Sequence, residues 1–247
     1  MNEVALITGG GNGIGRAVAH RMAAAGIAVI VADYEHDAAE NVSREVKDKG
    51  GKAEALAIDV TVAREVKAIV TDVAQRYGRI DILANIAGGS FYTKRIEEFS
   101  WTEWKQVVDV NLKGTFLMCR EVAPIMQKRK SGRIINTASN YGITGSAMRS
   151  PYAASKAGII ALTKTLALEL APDGILVNTI APGPTDTPRV MGKEPAEARR
   201  ERWWSVIPLG RTAHPEETAE AFYFLASTAS GCITGQTLHV NGALVTP

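Results

Sequence analysis

Short apolar runs alternate with longer amphipathic segments along most of the chain. Seven runs are almost continuously apolar, at residues 4–8, 28–33, 53–59, 81–87, 133–139, 175–182 and 237–240. Such runs are typical of parallel strands that are covered on both faces. Six helix-length segments follow the runs, at about 14–25, 36–49, 62–77, 103–129, 151–171 and 216–227. The alternation predicts an α/β fold with a doubly wound parallel sheet of seven strands and helices on both faces.

One region departs from this alternation. Residues 183–210 hold four prolines and form a long insertion before the last predicted helix. Connections of that length are usually disordered or functional, and many of them are lids. Because no repeat or low-complexity linker interrupts the chain, we predict one domain over residues 1–247, with a substrate lid at about 186–207.

Composition and charge narrow the function classes. A net charge of +2 gives no electrostatic argument for a nucleic-acid partner. Cys119 and Cys232 have no metal-ligand spacing, so we predict no metal and a reduced, cytoplasmic protein. The first strand begins almost at Met1, which predicts no signal peptide, and no apolar run is long enough to predict a membrane span.

A glycine-rich turn joins the first strand to the first helix. It reads TGGGNGIG over Thr8–Gly15, with Gly9, Gly13 and Gly15 in the spacing G-x-x-x-G-x-G. Backbone without Cβ lets a pyrophosphate approach the helix N-terminus, where free N–H groups favour anions. The alternative is a tight turn with a structural role only.

Asp33 ends the second strand, 18 residues after Gly15. A carboxylate at that place binds the ribose hydroxyls of NAD and repels a 2′-phosphate. Positions 10–12 carry no Lys or Arg, and Arg16 is expected to point into the helix start. These residues favour NAD over NADP.

The segment SPYAASK places Tyr152 and Lys156 one helical turn apart on the same face. Taken alone the pair is weak, because Tyr152 can simply pack while Lys156 extends its amine to water. Free tyrosine has a pKa of about 10, so proton transfer at a substrate oxygen needs a neighbouring cation. Ser139, 13 residues earlier, can hydrogen-bond that oxygen.

The motifs together resemble those of the short-chain dehydrogenase/reductase family, and the resemblance spans essentially the whole chain. Those that carry it occur in the family's order: Thr8–Gly15, Asp33, Asp59–Val60, Asn85–Gly88, Asn111 in DVNLKG, Ser139, Tyr152-x-x-x-Lys156 and Pro182–Thr187. The resemblance implies a Rossmann-like fold and a catalytic tetrad of Asn111, Ser139, Tyr152 and Lys156. It also implies that Lys156 binds the nicotinamide ribose and that Asn111 holds a water connecting Lys156 to solvent.

Further cofactor contacts are carried over from the resemblance, position by position. The implied set is Gly9, Asn12, Gly13, Ile14, Gly15, Asp33, Asp59, Val60, Asn85, Ala87, Tyr152, Lys156, Pro182, Gly183, Thr185 and Thr187. Three residues depart from the family's pattern. Ile86 replaces a usual asparagine, and Asn241 and Ala243 stand in VNGA where VDGG is common, which puts subunit contacts in doubt.

The segment 151–171 is apolar nearly all round, which predicts burial on two sides. One side can pack on the sheet and the other on a second subunit, with 103–129 as companion helix. The resembling proteins use these two helices in a dimer interface and assemble as tetramers, so we expect a homotetramer.

The substrate pocket is less defined by the sequence. The resemblance places residues 89–91, 140–141, 147–149 and the lid around it. Trp203 and Trp204 can cover an apolar or cyclic substrate, or can simply pack the lid helix against the sheet. Four basic residues can bind a substrate carboxylate or the phosphate of an acyl thioester, or can be ordinary surface charges. They are Lys94, Arg95, Arg149 and Arg189.

These observations predict an NAD(H)-dependent oxidoreductase that transfers a hydride between nicotinamide and a small secondary alcohol or ketone. Two alternatives stay open within the enzyme class: a 3-oxoacyl-(acyl-carrier-protein) reductase and a dehydrogenase of cyclic or aromatic-derived diols. The first usually has a basic residue in the glycine turn, which this chain lacks. A third alternative is a non-catalytic NAD-binding scaffold.

Overall fold

The computed structural model describes residues 3–191 and 196–247. Its seven strands are β1 Val4–Thr8, β2 Ala28–Asp33, β3 Ala53–Ala57, β4 Ile82–Asn85, β5 Gly132–Thr137, β6 Ile175–Pro182 and β7 Thr237–Val240. They pair in parallel in the order β3-β2-β1-β4-β5-β6-β7. The predicted doubly wound sheet is confirmed. Because the strand order reverses between β1 and β4, a crevice opens at the carboxyl ends of these strands.

Helices cover both faces of this sheet. In chain order they are α1 Gly13–Ala24, α2 His36–Asp48, α3 Ala63–Tyr77, α4 Trp101–Val108, α5 Gly114–Arg129, α6 Tyr141–Thr144, α7 Ser150–Leu170, α8 Pro188–Met191, α9 Ala196–Trp204 and α10 Pro215–Ala226. On one face α3, α5 and α7 pack in a single apolar cluster. On the other face α1, α2 and α10 form a second cluster.

Strand β1 shows how the sequence divides its side chains between the two layers. Val4 and Leu6 belong to one cluster, and Ala5 and Ile7 belong to the other. Side chains alternate along a strand, so a strand covered on both faces needs apolar residues at every position. The unbroken run VALIT therefore reflects a central strand.

One predicted helix and several predicted ends need correction. The segment 103–129 begins earlier, at Trp101, and is interrupted by a π-helical turn at Asp109–Lys113. One extra residue in a turn changes the apolar pattern too little to be visible in the sequence. The strands expected at 53–59, 81–87 and 133–139 end two residues earlier than predicted, at Ala57, Asn85 and Thr137.

The insertion at 183–210 contains α8 and α9. The predicted lid at 186–207 includes residues 192–195, which lie outside the described residues, as does the side chain of Arg189. Among the described residues, no helix is long and apolar enough to cross a membrane.

Candidate active site

The crevice at the carboxyl ends of the strands is a cleft with a volume of about 1210 Å³. Its wall includes every predicted cofactor contact except Asn85, together with Ser139 of the predicted tetrad. These residues are Gly9, Asn12, Gly13, Ile14, Gly15, Asp33, Asp59, Val60, Ala87, Ser139, Tyr152, Lys156, Pro182, Gly183, Thr185 and Thr187. The cleft thus brings together most of the residues that the sequence predicted.

The glycine turn leaves no room for a side chain at Gly9 or Gly15. Gly9 has a φ of +67°, and a Cβ there would lie 2.7 Å from the amide nitrogen of Ala87. A Cβ on Gly15 would collide with the carbonyl of Gly9. Gly13, the first residue of α1, has a φ of +51°, and Thr187 lies against it. The turn therefore exposes bare backbone at the start of α1, inside the cleft.

Asp33 is held by the turn that it faces. Its two carboxylate oxygens accept hydrogen bonds from the amides of Gly11, at 2.9 Å, and Glu35, at 3.1 Å. Arg16 is turned away and bonds Glu45 at 2.9 Å. At the carboxyl ends of β2 and β3 the described lining consists of Asp33, Tyr34, Glu35, Ile58, Asp59, Val60 and Thr61. This end of the cleft is acidic.

Tyr152 and Lys156 lie at the start of α7, where Pro151 occupies the first turn. The Lys156 ammonium is buried, lies 5.6 Å from the centroid of the Tyr152 ring and donates to the carbonyl of Thr137 at 2.6 Å. Burial lowers the pKa of Lys156 to about 7. Lys156 can therefore gain and lose a proton near neutral pH, directly beside Tyr152.

Ser139 follows the end of β5 and faces the same cleft. Its hydroxyl oxygen accepts a hydrogen bond from the amide of Tyr141 at 3.2 Å. A hydroxyl that accepts in this way keeps its own proton to donate. Ser139 can therefore donate to an oxygen atom of a molecule in the cleft.

Asn111 is buried in the π-helical turn and is not among the residues that line the cleft, although the preceding residue, Val110, is. Its amide donates to the carbonyls of Gly89, at 3.0 Å, and Val107, at 2.8 Å, and accepts from the amide of Gly89 at 3.1 Å. A Cβ on Gly88 would collide with the Asn111 side chain and lie 3.7 Å from the Lys156 nitrogen. Asn111 thus fixes the loop that passes beside Lys156.

Asn85 is the predicted cofactor contact whose side chain the structure places elsewhere. It is buried and donates to Asn136 at 2.9 Å and to the sulfur of Cys119 at 3.4 Å. Asn136 in turn donates to Thr163 on α7 at 2.9 Å. The Asn85 side chain therefore ties β4, β5 and α7 together inside the fold, and its expected place along a cofactor ribose stays a prediction.

The other end of the cleft is partly aromatic and partly basic. Its described lining includes Gly89, Ser90, Phe91, Lys105, Asn140, Tyr141, Arg149, Arg202, Trp203 and Leu244. Lys94 and Arg95, two of the predicted anion-binding residues, instead pair with Glu103 and Glu97, each at 2.5 Å. Trp203 faces the cleft, whereas Trp204 is 48% exposed and does not line it.

Two features of this end could not be found from the sequence. The Asn241 amide donates to Asn140 at 3.1 Å across 101 residues, which fastens the C-terminal segment to the residue after Ser139. Arg149 donates to the Tyr141 hydroxyl at 3.3 Å, and the Tyr141 ring packs edge-on against Tyr152 with centroids 6.5 Å apart. Only the tertiary fold brings these side chains together.

The chain is similar to known proteins over nearly its whole length. A family model described as enoyl-(acyl carrier protein) reductase matches residues 9–244. The 3-oxoacyl-(acyl-carrier-protein) reductase FabG of Thermotoga maritima is 41% identical over 246 residues, which cover 98% of each chain. The structure of levodione reductase is similar at 35% identity and a TM-score of 0.93, covering 98% of this chain and 96% of that one. An actinorhodin polyketide ketoreductase structure with NADPH is similar at 34% identity and a TM-score of 0.94, covering 98% and 97%.

Proposed function

Because the chain belongs to the short-chain dehydrogenase/reductase family, we propose that it is an NAD(H)-dependent ketoreductase whose first candidate substrates are 3-oxoacyl compounds. The observation that carries the proposal is one cleft that holds Ser139, Tyr152 and Lys156 together with the glycine turn. A scaffold that only binds the cofactor has no use for that trio.

The cleft fits a nicotinamide dinucleotide on two grounds. The turn at Gly9 and Gly15 tolerates no Cβ, so its backbone can approach a pyrophosphate closely. Asp33 stands at the end of β2, where a carboxylate can accept from ribose hydroxyls. When bound, such a cofactor supplies or accepts the hydride.

The remaining chemistry belongs to the side chains. In the reductive direction the Tyr152 hydroxyl gives its proton to the substrate oxygen, while Ser139 donates a hydrogen bond that holds this oxygen in place. Lys156 in its charged form stabilises the tyrosinate that results. With a pKa of about 7, Lys156 can then return a proton to Tyr152. Asn111 holds the neighbouring loop through Gly89.

The preference for NAD over NADP rests on charge. The carboxylates of Asp33, Glu35 and Asp59 line the adenosine end of the cleft. The described cations on its wall are Lys105, Arg149, Lys156 and Arg202, which lie on α4, α7 and α9 or just before α7. None of these stands at the end of β2, where a 2′-phosphate would need one. The polyketide ketoreductase above was solved with NADPH, and NADPH is therefore the competing cofactor in the assay below.

The substrate proposal follows the names of the relatives. The 3-oxoacyl reductase alternative is favoured over a general alcohol dehydrogenase, because the Thermotoga maritima relative is a 3-oxoacyl-(acyl-carrier-protein) reductase. A cyclic ketone or diol is the second candidate. It is supported by the aromatic wall of Phe91, Tyr141 and Trp203 and by the likeness to levodione reductase.

The test is a panel of ketones at equal concentration, each with NADH and with NADPH, followed by loss of reduced-cofactor absorbance. Acetoacetyl thioesters, acetoacetate and its methyl ester represent the 3-oxoacyl class, and substituted cyclohexanones represent the cyclic class. We expect the fastest turnover in the 3-oxoacyl class with NADH. No turnover of any ketone by a protein that binds NADH would contradict the proposed function.

A homotetramer is part of the same proposal. On α7 the Leu168 side chain is 81% exposed, and on α5 the Phe116 side chain is 43% exposed. Exposed large apolar residues on neighbouring helices are typical of an interface between subunits. Light scattering that finds only a 26.4 kDa species would contradict the tetramer.

A further inference from the structure

Arg149 stands apart from the other cations of the cleft. Lys105 is paired with Asp109, and Lys156 donates to the Thr137 carbonyl. Arg202 lies against the ring of Trp203, 4.9 Å from its centroid. Arg149 also lies against a ring, that of Tyr141, but its buried Nε has no acceptor, and within the part of the chain that the structure describes no carboxylate lies within ion-pairing distance of it.

The guanidinium of Arg149 is held in place by an aromatic ring. It lies 5.5 Å from the centroid of Tyr141, and one Nη donates to the Tyr141 hydroxyl at 3.3 Å. The Tyr141 ring in turn meets Tyr152 at an interplanar angle of 82°. Arg149 is therefore separated from the proposed proton donor by a single aromatic ring.

The main chain fixes this arrangement as well. The Arg149 carbonyl accepts from the amide of Ala153 at 2.9 Å, which joins Arg149 to the first turn of α7. Tyr152 belongs to that same turn, so the two side chains share one rigid support. Arg149, Tyr141 and Ser139 all line the cleft.

A half-buried guanidinium without a carboxylate partner loses hydration and gains little in return. Its planar fork matches a carboxylate, which it can bind through two parallel hydrogen bonds. We propose that Arg149 is a specificity residue that receives a carboxylate of the substrate, so that the substrate is a free oxo or hydroxy acid. This inference rests on the proposed function and selects, within the 3-oxoacyl class, the free acid over its neutral derivatives.

Binding to the protein–NAD⁺ complex tests the proposal without turnover, since a ketone cannot be reduced there. Acetoacetate and methyl acetoacetate carry the same ketone and differ in the charge of the acyl end. We expect calorimetry to show that wild type binds acetoacetate at least about 30-fold more tightly than the ester. Arg149→Gln should abolish that preference and bind the ester as wild type does.

Three further variants separate the charge of Arg149 from its hydrogen bond and its planar shape. Arg95→Gln removes an equal charge that is paired with Glu97, and it should keep the full preference for the acid. Tyr141→Phe removes the hydrogen bond to Arg149 and should also keep that preference. Arg149→Lys keeps the positive charge but loses the planar guanidinium, so we expect a reduced preference for acetoacetate over the ester. This variant replaces Arg149→Gln in the test if Arg149→Gln does not fold.

The outcomes distinguish a failure of this inference from a failure of the proposed function. Equal binding of acid and ester by wild type would overturn the inference, as would an unchanged preference in Arg149→Gln. Turnover of neutral ketones with NADH would then leave the proposed function standing. If the acid is preferred in the NAD⁺ complex but no ketone is reduced by NADH, Arg149 still binds a carboxylate, but the proposed ketoreductase function fails and the bound acid is not its substrate.

Discussion

Replacing Asp33 with Asn should shift the cofactor preference of the protein. The Asp33 carboxylate accepts from the amides of Gly11 and Glu35 and, as proposed above, also from ribose hydroxyls. Each carboxylate oxygen has two lone pairs, so both sets of hydrogen bonds can coexist. A hydrogen bond to a charged group contributes about 1.5–3 kcal/mol. We therefore expect NADH to bind about 10- to 150-fold more weakly to Asp33→Asn.

Binding of NADPH should improve in the same variant. Two unit charges about 5 Å apart near a protein surface repel by about 3 kcal/mol before screening by salt. Removing the charge of Asp33 lowers that repulsion, so the ratio of the NADPH to the NADH dissociation constant should fall at least about 100-fold. The loss of one backbone hydrogen bond should lower the free energy of unfolding by about 1 kcal/mol.

The assay is a fluorescence titration with NADH and with NADPH at low and at physiological salt. Asp37→Asn is the matched control, because Asp37 is exposed at the start of α2 and does not line the cleft. It should leave the ratio of the two dissociation constants nearly unchanged. If wild type binds NADPH as tightly as NADH, or if Asp33→Asn has the wild-type ratio, the reasoning from Asp33 is refuted.

Three further predictions concern other parts of the fold. Burial lowers the pKa of Lys156 to about 7 in the folded protein. Between about pH 7 and 10 this group therefore binds more protons in the unfolded chain than in the folded one. This group should therefore raise the melting temperature of the cofactor-free protein as pH rises through that range, and Lys156→Met should lose that contribution. Gly88→Ala should lower kcat at least about 10-fold, because its Cβ would collide with the Asn111 side chain. Gly26→Ala is the control, since Gly26 has a φ of +82° and open space around it. It should leave kcat unchanged and lower the free energy of unfolding by about 1 kcal/mol. Leu168→Glu should shift the assembly towards smaller species in light scattering, and an unchanged mass would argue against an α7 interface.

The sequence was sufficient for the sheet and for most of the cleft. Buried parallel strands require apolar residues on both faces, so an unbroken apolar run such as VALIT predicts a central strand. The glycine turn and Asp33 were also predictable, because their positions at strand ends place them at one edge of the sheet. Tyr152 and Lys156 share a helix, so their proximity follows from spacing alone.

The rest depended on contacts that no local pattern encodes. Asn85 is the last residue of an apolar strand, where a cleft residue is expected, yet its side-chain amide donates to Asn136 inside the fold. The π-helical turn around Asn111 adds one residue to a helix without disturbing its apolar pattern visibly. Arg149 looked like one surface cation among four in the sequence, whereas the short helix α6 places Tyr141 beneath it.

The central claim is that Tyr152 moves a proton in a hydride-transfer reaction, and Tyr152→Phe tests it most directly. The measurement pairs NADH-dependent turnover of the best substrate in the panel with the NADH dissociation constant of the same protein. We predict that kcat falls by at least about 100-fold, while the dissociation constant stays within about threefold, since the lost hydroxyl is not the main anchor of the cofactor. Turnover at the wild-type rate in Tyr152→Phe would contradict the claim.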